Sequence, residues 1–329
     1  MTELIRPPDE PVYDLAHLGR VELLTPTFDR SLEFFIDVYG LDLVREAGGS
    51  AHLRAWGDYE LATLTLTAAD HAGLGHVAWR AVSRQALDRR VAALAERGVT
   101  GAWVDGGVGH GDTFSFHAPS GQRMELYYES EKYRATRQKK PYLPNQPQSS
   151  VTRGVGAARI DHLNVLARDV AQARAFACDL LGFKLREYLV PPGQPEAGAW
   201  LSLMNKAHDL AITREPTDAL GRFHHLAYAV ESRDDVLRAA DTFCELGVSI
   251  EFGPAKHART QGFFLYVIEP GGNRIEVFSG GIHIFAPDWE PVKWTTEAGG
   301  RSTAWGMHVP ESFHTHATPA LPMSEATSP

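Results

Sequence analysis

Three side chains of this sequence have the chemistry to share one divalent cation: His162 in "DHLNVL", His225 in "FHHLAY" and Glu276 in "GGNRIEVF". Two neutral imidazoles and one carboxylate leave three adjacent positions of an octahedral ion open, the facial triad of non-haem Fe(II) sites. Glu276 is two residues from Arg274 and two from Phe278, so on a strand the three share a face. A carboxylate so placed either meets water at a sheet edge or holds something positive in a cavity.

The choice between these depends on the elements that carry the residues. The chain repeats itself. Residues 20–41, RVELLTPTFDRSLEFFIDVYGL, lie without a gap over residues 162–183, HLNVLARDVAQARAFACDLLGF. Each reads as a strand followed by a helix that glycine stops, at Gly40 and Gly182. Residues 75–99 lie over 224–248, matching His76 to His225, and again a strand runs into an amphipathic helix. Residues 118–128 lie over 269–279, matching Glu125 to Glu276. Two homologous halves are therefore expected, each with two units of a strand, a helix and further strands. The expected boundaries are 13–132 and 158–280, with a Pro-, Gly- and Ser-bearing linker at 133–157. A Trp- and Pro-bearing segment, 281–311, is expected to cover a site, and 312–329 reads as a disordered tail.

The repeat gives Glu276 meaning, because a carboxylate stands at the same place in both copies. The triad places one ligand on each of three strands of the second half. The internal alignment selects His225 over His224, and strand alternation sends His224 to the opposite face. In the first half Arg20 stands where His162 should be. A permanently charged guanidinium cannot bind a cation. The first half is expected to have kept the fold and lost the metal, with Arg20 paired to Glu125 in place of the ion.

Composition narrows the partners. The net charge of −9 argues against a nucleic-acid partner. No apolar run approaches the ~18 residues of a membrane span, and the N-terminus has no secretion signal. The two cysteines, Cys178 and Cys244, lie in helical patterns among apolar neighbours and read as buried, reduced and structural, in keeping with a cytoplasmic location.

The motifs "DHLNVL", "FHHLAY" and above all "HARTQGFFLYVIEPGGNRIE" (257–276) resemble the type I extradiol ring-cleaving dioxygenases of the vicinal oxygen chelate superfamily, over residues 13–310. Within it the chain resembles the catechol 2,3-dioxygenases and homoprotocatechuate 2,3-dioxygenases. The resemblance implies an α+β fold of two homologous domains, each of two βαβββ units curled into an incomplete barrel. It implies a homo-oligomer, commonly a tetramer, and Fe(II) as cofactor, with Mn(II) admitted by the same ligands. It implies His208 as the acid–base residue, His257 and Tyr266 as hydrogen-bond partners of the substrate, Asn164 near the oxygen site and Trp200 as a pocket wall. The first half has Ser115 in place of Tyr266.

The expected reaction is extradiol cleavage of a catechol by O2 to a 2-hydroxymuconic semialdehyde. Carboxylate-binding relatives carry an arginine where this chain has Phe252, and a second one near Ser302, which Arg301 adjoins. Phe252 favours catechol or an apolar-substituted catechol. The alternatives are a homoprotocatechuate-type substrate, a non-oxygenase vicinal oxygen chelate enzyme, and a small-molecule binding protein.

Overall fold

The computed structural model describes residues 12–295 and 302–319. The first half runs β1 (Leu15–Thr25), α1 (Phe28–Glu33, continued by a π-helical turn Phe34–Val38), β2 (Asp42–Ala47), β3 (Ser50–Arg54), β4 (Leu64–Ala68), β5 (Gly73–Ala81), α2 (Arg84–Glu96), β6 (Gly101–Val104), β7 (Thr113–His117) and β8 (Arg123–Tyr127). The second half repeats the order: β9 (Arg159–Ala167), α3 (Val170–Leu181), β10 (Lys184–Leu189), β11 (Gly198–Ser202), β12 (Leu210–Arg214), β13 (Phe223–Ala229), α4 (Arg233–Glu245), β14 (Ile250–Lys256), β15 (Gly262–Ile268) and β16 (Arg274–Gly280). Each half is thus βαβββ twice.

Three helices, α2, α3 and α4, begin where polar side chains can satisfy free backbone N–H groups. Ser83 accepts from Ala86 N, Asp169 from Gln172 N, and Ser232 forms a reciprocal capping box with Asp235. Gly182 ends α3 in the left-handed region, φ 79°, where a side chain would be strained.

Each half folds into one open sheet. The orders are β2-β3-β4-β1-β5-β8-β7-β6 and β14-β15-β16-β13-β9-β12-β11-β10-β17, the last strand being Val292–Trp294. Two units meet in each sheet through an antiparallel pair, β1 with β5 and β9 with β13. The concave faces are incomplete barrels, because the end strands do not pair with each other.

One apolar core spans both halves. Phe34 stacks on Phe243 at 6.5 Å between ring centroids, Trp79 meets Phe183 edge-on at 4.9 Å, and Tyr39 meets Tyr228. Tyr39 also donates its hydroxyl to the Glu276 carbonyl at 2.7 Å, so the first half braces a strand of the second.

Two expectations need correction. Residues 312–318 are structured: α5 (Glu311–Thr315) packs on the second sheet and Thr318 bridges Phe223. The polar sequence conceals this because the docking is done from the sheet side. Arg274 donates to the carbonyls of Ser312 and His316, and Phe313 packs edge-on against both Phe252 and Tyr266. Residues 320–329 lie outside the described residues. Cys244 is exposed, since Phe243 takes the buried side of α4, whereas Cys178 packs against the core. No described helix is long and apolar enough to cross a membrane.

Candidate active site

Strand register places the candidate ligands. Ala227 on β13 stands opposite His162 on β9 and opposite Glu276 on β16. Tyr266 stands opposite Glu276, and Phe252 opposite Tyr266. One row therefore crosses five adjacent strands: Phe252, Tyr266, Glu276, Ala227, His162. A second row runs beside it, with His225 opposite Asn164, Asn164 opposite Ala211 and Ala211 opposite Trp200. Residues two apart on a strand share a face, so both rows look into the same hollow. The alanines keep the middle of each row open.

The three ligand-competent side chains converge and are buried. Glu276 Oε2 is 3.0 Å from His162 Nε2 and 3.1 Å from His225 Nε2, and the three donor atoms all lie within 4.8 Å of one another. Two cis ligands at about 2.1 Å from one ion stand about 3 Å apart, so the spacing fits. His225 Nε2 is buried and has no hydrogen-bond partner, although the Glu276 oxygen is close by. A buried ring nitrogen without an aligned partner, facing a carboxylate, fits a cation between them. Two imidazoles and a carboxylate could thus hold a borderline divalent ion, with positions left for other ligands.

The electrostatics match. Burial lowers the His162 imidazole, but Glu276 and Asp161 outweigh it and raise it to about 9. Burial brings His225 down to about 4, against Glu276. Burial would raise the Glu276 carboxyl, but His162, His225 and His257 hold it well below the usual carboxylate range. The pocket is built around a negative charge that attracts positive ones.

The other predicted residues gather around this cluster. The His208 ring lies 3.9 Å from the His162 ring, and its buried Nδ1 has no hydrogen-bond partner. Burial, with His162 beside it, keeps His208 neutral well below its ordinary pKa. His257 Nε2 is 3.3 Å from Glu276 Oε1 and 3.2 Å from the Tyr266 hydroxyl. Burial and the Glu276 charge push the Tyr266 phenol well up, so it stays protonated. Asn164 donates to Thr213 Oγ1 at 3.0 Å. With Trp200 and Phe252, all of these line a cavity of about 360 Å³, within the size range of small-molecule pockets, about 300–1,000 Å³. Ser302 lines it too, and Arg301 lies outside the described residues.

Sequence reasoning missed four contributors. Asp161 accepts from His162 Nδ1 at 2.9 Å and is itself held by Lys206 and Arg159. Its signal was the Asp-His dipeptide at the start of a strand. Arg259 stacks 4.8 Å over Trp200, and Phe313 of α5 lines the cavity. His224 does not face away, which corrects the alternation argument. Between Phe223 and His225 the register slips, so two residues of β13 oppose one step on β9. This β-bulge turns His224 inward, with its Nδ1 2.7 Å from His225 Nδ1.

The first half repeats the row with different chemistry. Ser115, Glu125, Ala78 and Arg20 stand opposite one another in turn. Arg20 donates to Glu125 at 2.8 Å, Arg123 to its other oxygen at 2.8 Å, and His76 turns its Nδ1 to Glu22 at 3.0 Å. A guanidinium thus occupies the position of the missing ligand, as the sequence predicts.

Fold and site together define a duplicated protein with a candidate mononuclear, non-haem metal centre in its second half. Residues 159–277 match the Glyoxalase/Bleomycin resistance protein/Dioxygenase superfamily. The chain is 40% identical over 313 residues to metapyrocatechase of Geobacillus stearothermophilus, covering 94% of this chain and 95% of the relative. It is 36% identical over 318 residues to the manganese-dependent 2,3-dihydroxybiphenyl 1,2-dioxygenase of Geobacillus genomosp. 3, covering 95% and 98%. Its fold superposes on homoprotocatechuate 2,3-dioxygenase from Arthrobacter globiformis with a TM-score of 0.84 at 26% identity, covering 100% and 99% of the two chains. The chain belongs to the extradiol ring-cleaving dioxygenases of this superfamily.

Proposed function

We propose that this enzyme cleaves catechol, or a catechol with an apolar substituent, beside its two hydroxyls, and that His162, His225 and Glu276 hold the metal. Both atoms of O2 enter the product, a 2-hydroxymuconic semialdehyde, so one catechol and one O2 account for every atom. The observation that carries the reading is the buried, unpartnered His225 Nε2 facing the Glu276 carboxylate at the floor of an open cavity. A bound Fe(II), with Mn(II) the alternative the donor set accepts, would acidify the catechol hydroxyls and bring the diolate and O2 together.

The chain's own groups do the rest. His208, which lines the cavity and has an unpartnered Nδ1, accepts a hydroxyl proton from the substrate and returns it as general acid. The Tyr266 hydroxyl and His257, 3.2 Å apart, form a pair that orients a substrate oxygen. Trp200 and Phe252 clamp the ring and exclude water. Asn164, opposite His225 and tied to Thr213, stands beside the remaining open side.

Oxygen uptake and the yellow ring-opened product, followed with the metal-reconstituted protein on a panel of catechols, test the reading. His208→Phe is expected to slow turnover about 10²–10⁴-fold with metal content unchanged. Full activity in that variant would remove His208 from the proton path.

One observation favours a second reading of the substrate. Arg259 reaches the same cavity and its guanidinium has no hydrogen bond or ion pair among the described residues. An anionic ring substituent would suit it. On the first reading alkyl catechols outperform 3,4-dihydroxyphenylacetate, and Arg259→Leu changes their kcat/KM little. The reverse preference, lost in Arg259→Leu, establishes the second.

A further inference from the structure

The bulged histidine links the C-terminal segment to a metal ligand. His224 is buried, and it makes two contacts through its two ring nitrogens. Its Nε2 lies 2.8 Å from the carbonyl oxygen of Phe313 in α5. Its Nδ1 lies 2.7 Å from Nδ1 of His225. A carbonyl oxygen can only accept, so His224 Nε2 must carry hydrogen. A neutral imidazole has one N–H, which leaves His224 Nδ1 bare and able only to accept. His225 Nδ1 must then be the donor. A neutral His225 that donates from Nδ1 has a bare Nε2, and Nε2 is the atom that faces Glu276 at 3.1 Å. Arg274, whose guanidinium donates to the His224 backbone carbonyl at 3.2 Å, is a positive neighbour that disfavours a second proton on His224.

We infer that His224 is a positioning residue through which the Phe313 carbonyl fixes the tautomer of His225, so that docking of residues 311–318 sets the affinity of the metal site. This rests on the proposed role of His225 as a ligand. Metal-bound histidines commonly fix their orientation by giving the second N–H to a carboxylate, a carbonyl or water. His162 follows that pattern with Asp161. His225 uses a second imidazole instead, and the relay ends outside the sheet, on α5. Phe313 packs edge-on against His224 at 4.8 Å, so the ring and the carbonyl of one residue hold both the relay and the dock. The bulge is what makes this possible, since an unbroken strand would point His224 to the other face.

The test uses the full-length protein in two measurements. Nitrogen NMR of the histidine-labelled, metal-free protein above pH 7.5 reads the tautomer directly, whether or not the protein is active. His225 is expected as the Nδ1–H form in the native sequence and as a mixture in His224→Phe. The Nε2–H form in the native sequence overturns the inference. Mn(II) titration followed by the EPR signal of the free ion reads the coupling. His224→Phe is expected to weaken binding about 10–100-fold, as removal of outer-shell partners does. His224→Asn keeps an acceptor for His225 but cannot reach Phe313, and should cost less. If His224→Phe does not fold, the Asn variant carries the test through a cycle with Phe313→Asp. Phe313→Asp should weaken binding in the native background and have little further effect in His224→Asn. Equal effects in both backgrounds show that α5 acts by another route and overturn the inference. A native protein that binds no Mn(II) or Fe(II) at all defeats the metal reading itself, while the tautomer measurement still decides the relay.

Discussion

At the scale of single residues, the site is a contest between burial and partnership. Burial alone would neutralise every ionisable group in the hollow. The groups that escape are those given a partner. Asp161 lies outside the candidate metal cluster yet orients His162, because its carboxylate accepts the Nδ1–H hydrogen bond and turns Nε2 toward Glu276. Lys206, 2.9 Å from Asp209 and 3.6 Å from Asp161, keeps that carboxylate charged; burial opposes, and Lys206 and His162 prevail. Asp161→Asn can still accept a hydrogen bond but carries no charge. It is expected to weaken metal binding about 10–100-fold, measurable by competition with a chelator. His162, His225 and Glu276 were legible because each had a counterpart or a meaningful substitute in the other half. Asp161 and Arg259 have no such counterpart role, so the comparison that selected the triad passed over them.

At the scale of elements, the order of strands is what turns distant residues into neighbours. His162 and Glu276 are 114 positions apart, yet both stand opposite Ala227. The methyl group at 227 is therefore the spacer of the site. Ala227→Leu is expected to force the flanking strands or side chains apart, at a cost of about 1–3 kcal/mol. Metal stoichiometry in the folded variant should fall towards zero, which atomic absorption on the purified protein would show. Two-residue periodicity foretold these rows, and it failed at His224 for a physical reason. A bulge depends on how two strands meet, and neither strand's own pattern contains it. The same limit hid α5. Its sequence, ESFHT, has one apolar side chain, and its place is set by Arg274, which belongs to another element. The helix stops at glycine depend on residues within one copy, and the duplication and the Arg20–Glu125 replacement on aligning the two copies, so all three were legible.

At the scale of the molecule, the halves share a core but divide the electrostatic work. The first half holds buried carboxylates with histidine and arginine partners. Burial would raise Glu22, but His76 and Thr67 pull it down to about 2; burial would raise Glu60, but His110 and His17 bring it to about 2. Their ordinary value is 4.5, so the folded state binds fewer protons than the unfolded state between these limits. Stability from both groups is therefore complete above about pH 4.5 and is lost as pH falls to about 2. Each contributes roughly 3 kcal/mol by linkage. Urea titrations at pH 6, 4 and 3 should show this loss, and Glu60→Gln should flatten the pH dependence in that window. An unchanged slope would mean that these carboxyls titrate normally in the fold.

The guanidinium of Arg20 is tethered by its own chain, whereas an ion at the equivalent place can leave. Stripping by a strong chelator should therefore loosen one side of the molecule only. Amide protons of β9, β13 and β16 would exchange faster with solvent deuterium, while those of β1, β5 and β8 kept their native pace. A duplicated protein would in this way divide its response, the half with the two imidazoles breathing with the supply of metal and the half with Arg20 indifferent to it.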